Sequence, residues 1–327
     1  MKKIILLTLA IIGVGVSIYL IHGYINKNTP TPEPTLPGEE GTTFSGENLL
    51  KGIRIQQIGW NGEYWLIVCE NLSEGSFHLV SFDGNTFKDI TPQKLKNMSD
   101  IHISSISTEG KIWILKEAMQ CENCPRNVYR FDGKNVEMEK EEVDSESYWE
   151  VPSCNDKYCL TWDKKSKKLM KTYDDYTVDL TEEFEKKAGI SATFPGLSVG
   201  PIVWNGEYWL IELSTKAGGM LVKYDGESFE FLLSKVRRFK WNEEYWLITL
   251  MDIKEGGAVK YDGESFEYIS IPSSYGAGAL EWNGEYWLIG TVNSPFGGSN
   301  GLVRYDGSTV VDLSKEFQNS ILRENKN

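Results

Sequence analysis

The sequence predicts an all-β chain built as an array of four-stranded antiparallel meanders, and three observations carry that prediction. The octapeptide Trp-Asn-Gly-Glu-Tyr-Trp-Leu-Ile occurs unchanged at Trp60–Ile67, Trp204–Ile211 and Trp282–Ile289, and at Trp241–Ile248 with Glu243 in place of glycine. A second signature, an aromatic residue followed by Asp-Gly, comes about twenty residues later, at Phe82-Asp83-Gly84, Phe131-Asp132-Gly133, Tyr224-Asp225-Gly226, Tyr261-Asp262-Gly263 and Tyr305-Asp306-Gly307. Counting degenerate copies, the first positions fall at 60, 108, 154, 204, 241 and 282, at intervals of 48, 46, 50, 37 and 41 residues. Such self-similarity marks stacked copies of one supersecondary unit.

Each element of the unit follows from its residues. Asn-Gly between two apolar runs signals a tight two-residue hairpin turn, because both residues tolerate positive φ. Tyr-Trp-Leu-Ile is aromatic and branched, as suits a buried strand. Asp-Gly is a second turn pair, followed each time by a short β-rich run such as Glu227–Phe231. The unit therefore reads strand, turn, strand, loop, strand, turn, strand. Thr108–Ile114 and Cys154–Leu160 fill the Trp-Asn-Gly slot of the second and third units, the latter ahead of Tyr173-Asp174-Asp175. Four strands in a period of this length are the mark of a propeller blade, and six copies around an axis bury faces that one meander leaves open. The expected architecture is a six-bladed β-propeller over residues 42–318.

The stretch Gly301-Leu302-Val303-Arg304-Tyr305-Asp306-Gly307, about twenty residues after a Trp-rich strand, resembles the two-component-regulator propeller repeat, and the general layout is similar to kelch repeats. The resemblance covers roughly residues 47–315. It implies a β-propeller; its motifs are structural and bring no catalytic residues.

Ahead of the array, Lys2 and Lys3 precede eighteen uncharged residues, 4–21. At 1.5 Å per residue these span about 27 Å, enough for a bilayer core. No small-residue cleavage site and no nearby Cys follows, so residues 1–27 read as an uncleaved signal anchor rather than a cleaved signal peptide or lipoprotein anchor. The lysines place the N-terminus in the cytoplasm and the remainder outside the cell membrane. The alternative is secretion after cleavage. Residues 28–41, with Pro30, Pro32, Pro34 and Pro37, read as an extended stalk, and 319–327 as a polar tail.

The whole chain carries a net charge of −13, and the residues beyond Lys27 hold 31 basic against 47 acidic side chains. That balance argues against nucleic acid and against docking on anionic lipid. The chain has none of the phosphate-loop, zinc-protease or nucleophile-elbow motifs. Its three histidines are His22, in the apolar segment, and His78 and His102, which read as ordinary strand residues. No cofactor and no metal are expected. The repeated Asp residues read as turn residues bonding nearby amides, and turn carboxylates such as Glu63, Glu207, Glu244 and Glu285 would make one end of the ring acidic.

Export would let disulfides persist. Cys121 and Cys124 read as a loop staple, in preference to redox chemistry or a Cys₄ zinc site. Cys154 and Cys159 fall on the two Trp positions of the repeat, where a disulfide would replace an aromatic pair. A strict two-residue turn would set these positions diagonally, too far apart for a bond, so the pairing needs a wider loop. Cys69 is left over, buried on its strand. Asn71 and Asn97 match the N-glycosylation pattern.

Unrepeated aromatics are the binding candidates, because the scaffold does not need them: Tyr148, Trp149, Phe194, Tyr275 and Phe296, all in expected loops. The preferred function is non-catalytic binding of a protein partner or a surface glycan. The alternatives are a glycan hydrolase or lyase with paired carboxylates in the channel, and a structural spacer or assembly subunit of the envelope.

Overall fold

The computed structural model describes residues 52–72, 74–96, 98, 101–118, 124–142, 152–189, 198–215, 218–251, 257–271, 277–292 and 299–324. The segments read as anchor (1–27) and stalk (28–41) lie outside them, as do residues 42–51. No helix among the described residues is long and apolar enough to cross a membrane.

The described strands form consecutive antiparallel meanders. The first holds β1 (Ile53–Trp60), β2 (Trp65–Asn71), β3 (Ser76–Phe82) and β4 (Phe87–Asp89). The second holds β5 (Ile103–Glu109), β6 (Ile112–Glu117), β7 (Arg126–Phe131) and β8 (Val136–Glu141). The third holds β9 (Ser153–Cys154), β10 (Cys159–Asp163), β11 (Lys168–Thr172) and β12 (Thr177–Asp179). In the fourth, β13 (Ser198–Trp204), β14 (Trp209–Thr215) and β15 (Gly218–Tyr224) lead into the long β16 (Phe229–Trp241). The far half of β16 opens the fifth, with β17 (Trp246–Leu250), β18 (Gly257–Tyr261) and β19 (Phe266–Ser270). The sixth holds β20 (Ala277–Trp282), β21 (Trp287–Val292), β22 (Ser299–Tyr305) and β23 (Val310–Asp312), so its outer strand is its own. Among the described residues three helices, α1 (Gln93–Lys96), α2 (Thr181–Ala188) and α3 (Ser314–Glu324), follow the first, third and sixth meanders.

The turns differ from the sequence expectation. The two Trp of each repeat are direct cross-strand partners, as in Trp60↔Trp65 and Trp204↔Trp209, which leaves four loop residues rather than two. The Asn side chain, not a primed turn, shapes this loop: Asn61 Oδ1 accepts the amides of Glu63 and Tyr64, each at 3.0 Å. The Asp-Gly loops repeat the design, with Asp83 Oδ1 taking the amides of Asn85 and Thr86 at 2.8 Å between the paired Phe82 and Phe87. This is the side-chain mimicry of a backbone turn for which Asn and Asp are suited.

The wider loop puts Cys154 directly opposite Cys159, and the two form a disulfide with Cα atoms 3.9 Å apart. Cys124 is also disulfide-bonded, while Cys121 lies outside the described residues; Cys69 is free and buried. In the third meander Thr172 pairs with Thr177, so Tyr173 fills the Asp slot and Asp174 the Gly slot. The register read from Tyr173-Asp174-Asp175 is thus one residue off.

Two further expectations are corrected. Residues 319–324 belong to α3 rather than to a polar tail, because Phe317 and Ile321 point inward and are fully buried against the first meander. Asn71 ends β2 and is 2% exposed, so its amide is enclosed rather than presented for glycosylation. Asn97 lies outside the described residues.

The core sits between meanders, not within them. Separate buried clusters join three with four, four with five, five with six, six with one, and one with two. Among the described residues no buried cluster joins two with three. First strands neighbour first strands, β20 and β5 both lying beside β1, and β9 beside β13. Trp65, Trp113, Trp209, Trp246 and Trp287 are all fully buried at these interfaces, each at a position where truncation to Ala costs about 3–5 kcal/mol.

Glu243 takes the Gly slot at φ 79°, a left-handed conformation that costs a residue with a Cβ about 1–2 kcal/mol. Glycine gives back part of that through its freer unfolded chain. Glu243→Gly is therefore expected to stabilise the fold by up to about 1 kcal/mol. Urea unfolding checks it, and a midpoint at or below wild type would contradict the strain.

Candidate functional site

The two repeated motifs meet across each joint. Tyr is the fourth residue of the Asn-capped loop, so the cap aims it sideways, over the next meander. There its hydroxyl accepts the indole N–H of the following repeat's second Trp. The distances are 3.0 Å for Trp113 to Tyr64, 3.1 Å for Trp246 to Tyr208, 3.0 Å for Trp287 to Tyr245, and 2.9 Å for Trp65 to Tyr286. The last pair ties the sixth meander back to the first. Between the third and fourth, Trp209 instead stacks on Tyr158 at 4.8 Å and donates to the Ser153 carbonyl at 3.3 Å.

The same hydroxyl lies against the Gly of the next Asp-Gly loop. A Cβ on Gly263, whose φ is +107°, would sit 3.2 Å from Tyr208 Oη, and one on Gly226 2.8 Å from Tyr158 Oη. Glycine is thus required both by backbone conformation and by the approach of the ring. A cation just before the aromatic-Asp-Gly motif covers the ring. Lys223 and Lys260 lie 4.6 Å from the Tyr208 and Tyr245 centroids, Lys171 4.0 Å from Tyr158, and Arg304 5.3 Å from Tyr286. Lys223 Nζ also donates to the Gly263 carbonyl at 2.9 Å, as Lys171 does to Gly226.

At the joint of meanders four and five these groups line a cavity of about 410 Å³ bounded by Glu207, Tyr208, Lys223, Asp262, Gly263 and Glu264. Burial pushes the Tyr208 phenol up to about 12, so it stays protonated. The backbone amides of Glu264 and Ser265 hold the Asp262 carboxyl down to about 2, and the equivalent amides hold Asp83, Asp132 and Asp306 below the usual carboxylate range. These aspartates are turn caps, as the sequence suggested. The cavity's other carboxylates belong to Glu207 and Glu264, both exposed.

The connections from β1 to β2 and from β3 to β4 lie at one end of an antiparallel meander, so every such notch opens at the same end. The binding candidates read from the sequence were Tyr148, Trp149, Phe194, Tyr275 and Phe296. These five residues lie outside the described ones. Sequence reasoning set the motif Tyr aside as scaffold. The cation before four of the five aromatic-Asp-Gly motifs, Arg130, Lys223, Lys260 and Arg304, was the signal that would have pointed to the notch. Among the described residues no group of three His, Cys, Asp or Glu is placed to hold a metal.

The chain is similar to several solved structures. One is a mutant of the Aleuria aurantia lectin AAL in complex with Fucalpha1-6GlcNAc, 10% identical, covering 81% of this chain and 96% of that one at a TM-score of 0.43. Another is SapL1 lectin in complex with alpha methyl fucoside, 10% identical, covering 79% and 96% at 0.38. A third is the β-propeller domain of the Trilobed protease from Pyrococcus furiosus, 12% identical, covering 80% and 81% at 0.36. No protein-family model and no curated protein matches the chain.

Two outcomes follow. Tyr208→Phe strands the buried Trp246 N–H and is expected to cost about 1–3 kcal/mol in urea unfolding; Tyr176→Phe, on a residue 58% exposed, is expected to change nothing. The aspartate caps titrate lower folded than unfolded, so their contribution is complete above about pH 4 and disappears as pH falls toward 2. The melting temperature should drop over that window, and Asp262→Asn should flatten part of the drop; an unchanged profile would show that the loop bonds add nothing.

Proposed function

We propose that this chain is a six-bladed β-propeller whose notches form a non-catalytic binding site for glycan, held outside the membrane by residues 4–21 and lifted from it by the proline-rich stalk. The notch between meanders four and five carries the reading. Glu207 and Glu264 offer carboxylate acceptors for vicinal hydroxyls, Lys223 is a fixed donor, and Tyr208 supplies an aromatic edge around a cavity of about 410 Å³. Such a mostly polar recess suits a neutral polyhydroxylated ligand better than an apolar one. Related residues recur at the next joints as Glu244, Tyr245 and Lys260, then Glu285, Tyr286 and Arg304. Repeated weak notches along one end of a ring favour a polymer, whose second contact is intramolecular.

The test is thermal unfolding of the full-length chain against a panel of neutral polysaccharides and oligosaccharides. A ligand at one hundred times its Kd adds about 2.7 kcal/mol, roughly a few degrees for a fold of this size. One glycan should raise the melting temperature of wild type, and Glu207→Ala with Glu264→Ala should abolish the shift without lowering the unliganded value. A panel with no shift overturns the glycan reading in favour of a protein partner.

A further inference from the structure

The first meander holds, at the end of its sheet away from the notches, a chain of hydrogen bonds in the order Ser, His, Asp. Ser76 and His78 alternate along β3, so both project from one face. Asp89 ends β4 and pairs in register with Val80, which sets its carboxylate diagonally beside His78. His78 Nδ1 lies 2.8 Å from Asp89 Oδ2, and His78 Nε2 lies 2.9 Å from Ser76 Oγ. The Asp89 side chain is 1% exposed and that of His78 5%, whereas Ser76 stands at the rim.

The proton positions follow from the partners. An ionised Asp89 only accepts, so Nδ1 carries the hydrogen and Nε2 is left as a base facing the Ser76 hydroxyl. Asp89 is itself fixed: the Thr91 amide donates to its Oδ1 at 2.8 Å, the Thr91 hydroxyl donates to the same atom, and Lys96 Nζ lies 4.0 Å away. Burial alone would push this carboxyl up, but the bonds from His78 and Thr91 outweigh it and hold it below its ordinary value.

We propose that Ser76 is an activated nucleophile, with His78 as its general base and Asp89 positioning the imidazole, and that the site hydrolyses small uncharged carboxylic esters. Ser76 Oγ attacks the ester carbonyl carbon while His78 Nε2 takes the hydroxyl proton. The imidazolium returns that proton to the departing alkoxide, which leaves as the alcohol, with the acyl group on Ser76. Water, deprotonated by Nε2, then attacks the acyl carbon; the carboxylic acid leaves and Ser76 regains its proton. Net, one ester and one water give one acid and one alcohol. Glu74, whose carboxylate lies 3.5 Å from Ser76 Oγ, disfavours an anionic substrate.

The experiment treats the full-length folded chain with a fluorophosphonate and locates the adduct by fragmenting the peptide that carries both Ser76 and Ser81. Base assistance of this kind is worth about 100-fold or more. Ser76 should therefore label at least about 100-fold faster than Ser81, and only in the folded chain. His78→Gln should bring Ser76 down to the Ser81 rate, Asp89→Asn should slow it, and Asp89→Glu should restore part of it. No adduct on Ser76, equal labelling of Ser81, or a rate indifferent to His78 would each overturn the assignment and leave the three residues as a buried polar network. The wild-type comparison decides even if a variant fails to fold.

Discussion

An indole N–H given to a phenol on the neighbouring meander is the bond around which the other contacts at each joint are arranged. A lone four-stranded meander cannot bury both faces, so stability has to come from the joints. Each joint is completed by large aromatics whose polar atoms need partners when buried. The Trp–Tyr bond satisfies the indole without water, and it fixes where the Tyr ring must lie. That in turn requires glycine in the facing Asp-Gly loop, and at several joints a long cation covers the ring, as Gly263 and Lys223 do around Tyr208. Trp, Tyr and Gly, separated in sequence, are thus one interaction in space, which is why they recur together.

That arrangement also explains what the sequence disclosed and what it hid. The repeats, the four-strand unit and the buried second Trp are local and periodic, and all could be read directly. The turn geometry could not, because Asn-Gly fits both a two-residue primed turn and a four-residue loop shaped by the Asn side chain. Only the pairing of Trp60 with Trp65 distinguishes them. The function of the motif Tyr was hidden for another reason. Its partners belong to the next copy of the repeat, and nothing within one copy shows that Tyr208 touches Trp246 and Gly263. The burial of Ile321 was obscured by the charged residues around it, Arg323, Glu324 and Lys326. The Ser76, His78 and Asp89 network was missed because Asp89 reaches His78 through strand pairing, a relation that a search for linear motifs does not make.

The joint between meanders two and three shows what happens when the interaction is absent. The Tyr slot holds Ile112, the facing Trp slot Cys159, and the facing Gly slot Asp174. All three members have been lost together, as expected if they function only as a set. Arg130, in the position of the ring-covering cation, has no phenol to cover and pairs instead with Glu109 and Glu139. Arg126 and Lys116 both reach Glu141. Across the joint β10 presents Cys159, Thr161 and Asp163 in register with the places where β2 has Trp65, Ile67 and Cys69.

A hairpin that has given up its aromatic pair and its neighbour's grip needs another constraint, and the disulfide supplies one. Trp60 and Trp65 hold their loop by ring contact at 5.2 Å and by the burial of Trp65 in the joint. Cys154 and Cys159 hold theirs covalently. Burial stabilises the hairpin by favouring the folded form, whereas a cross-link acts largely by limiting the unfolded one. The substitution therefore trades a constraint that depends on the neighbour for one that does not, and it occurs at the one described joint where the neighbour contributes no buried cluster. The disulfide and the polar joint are two consequences of the same loss.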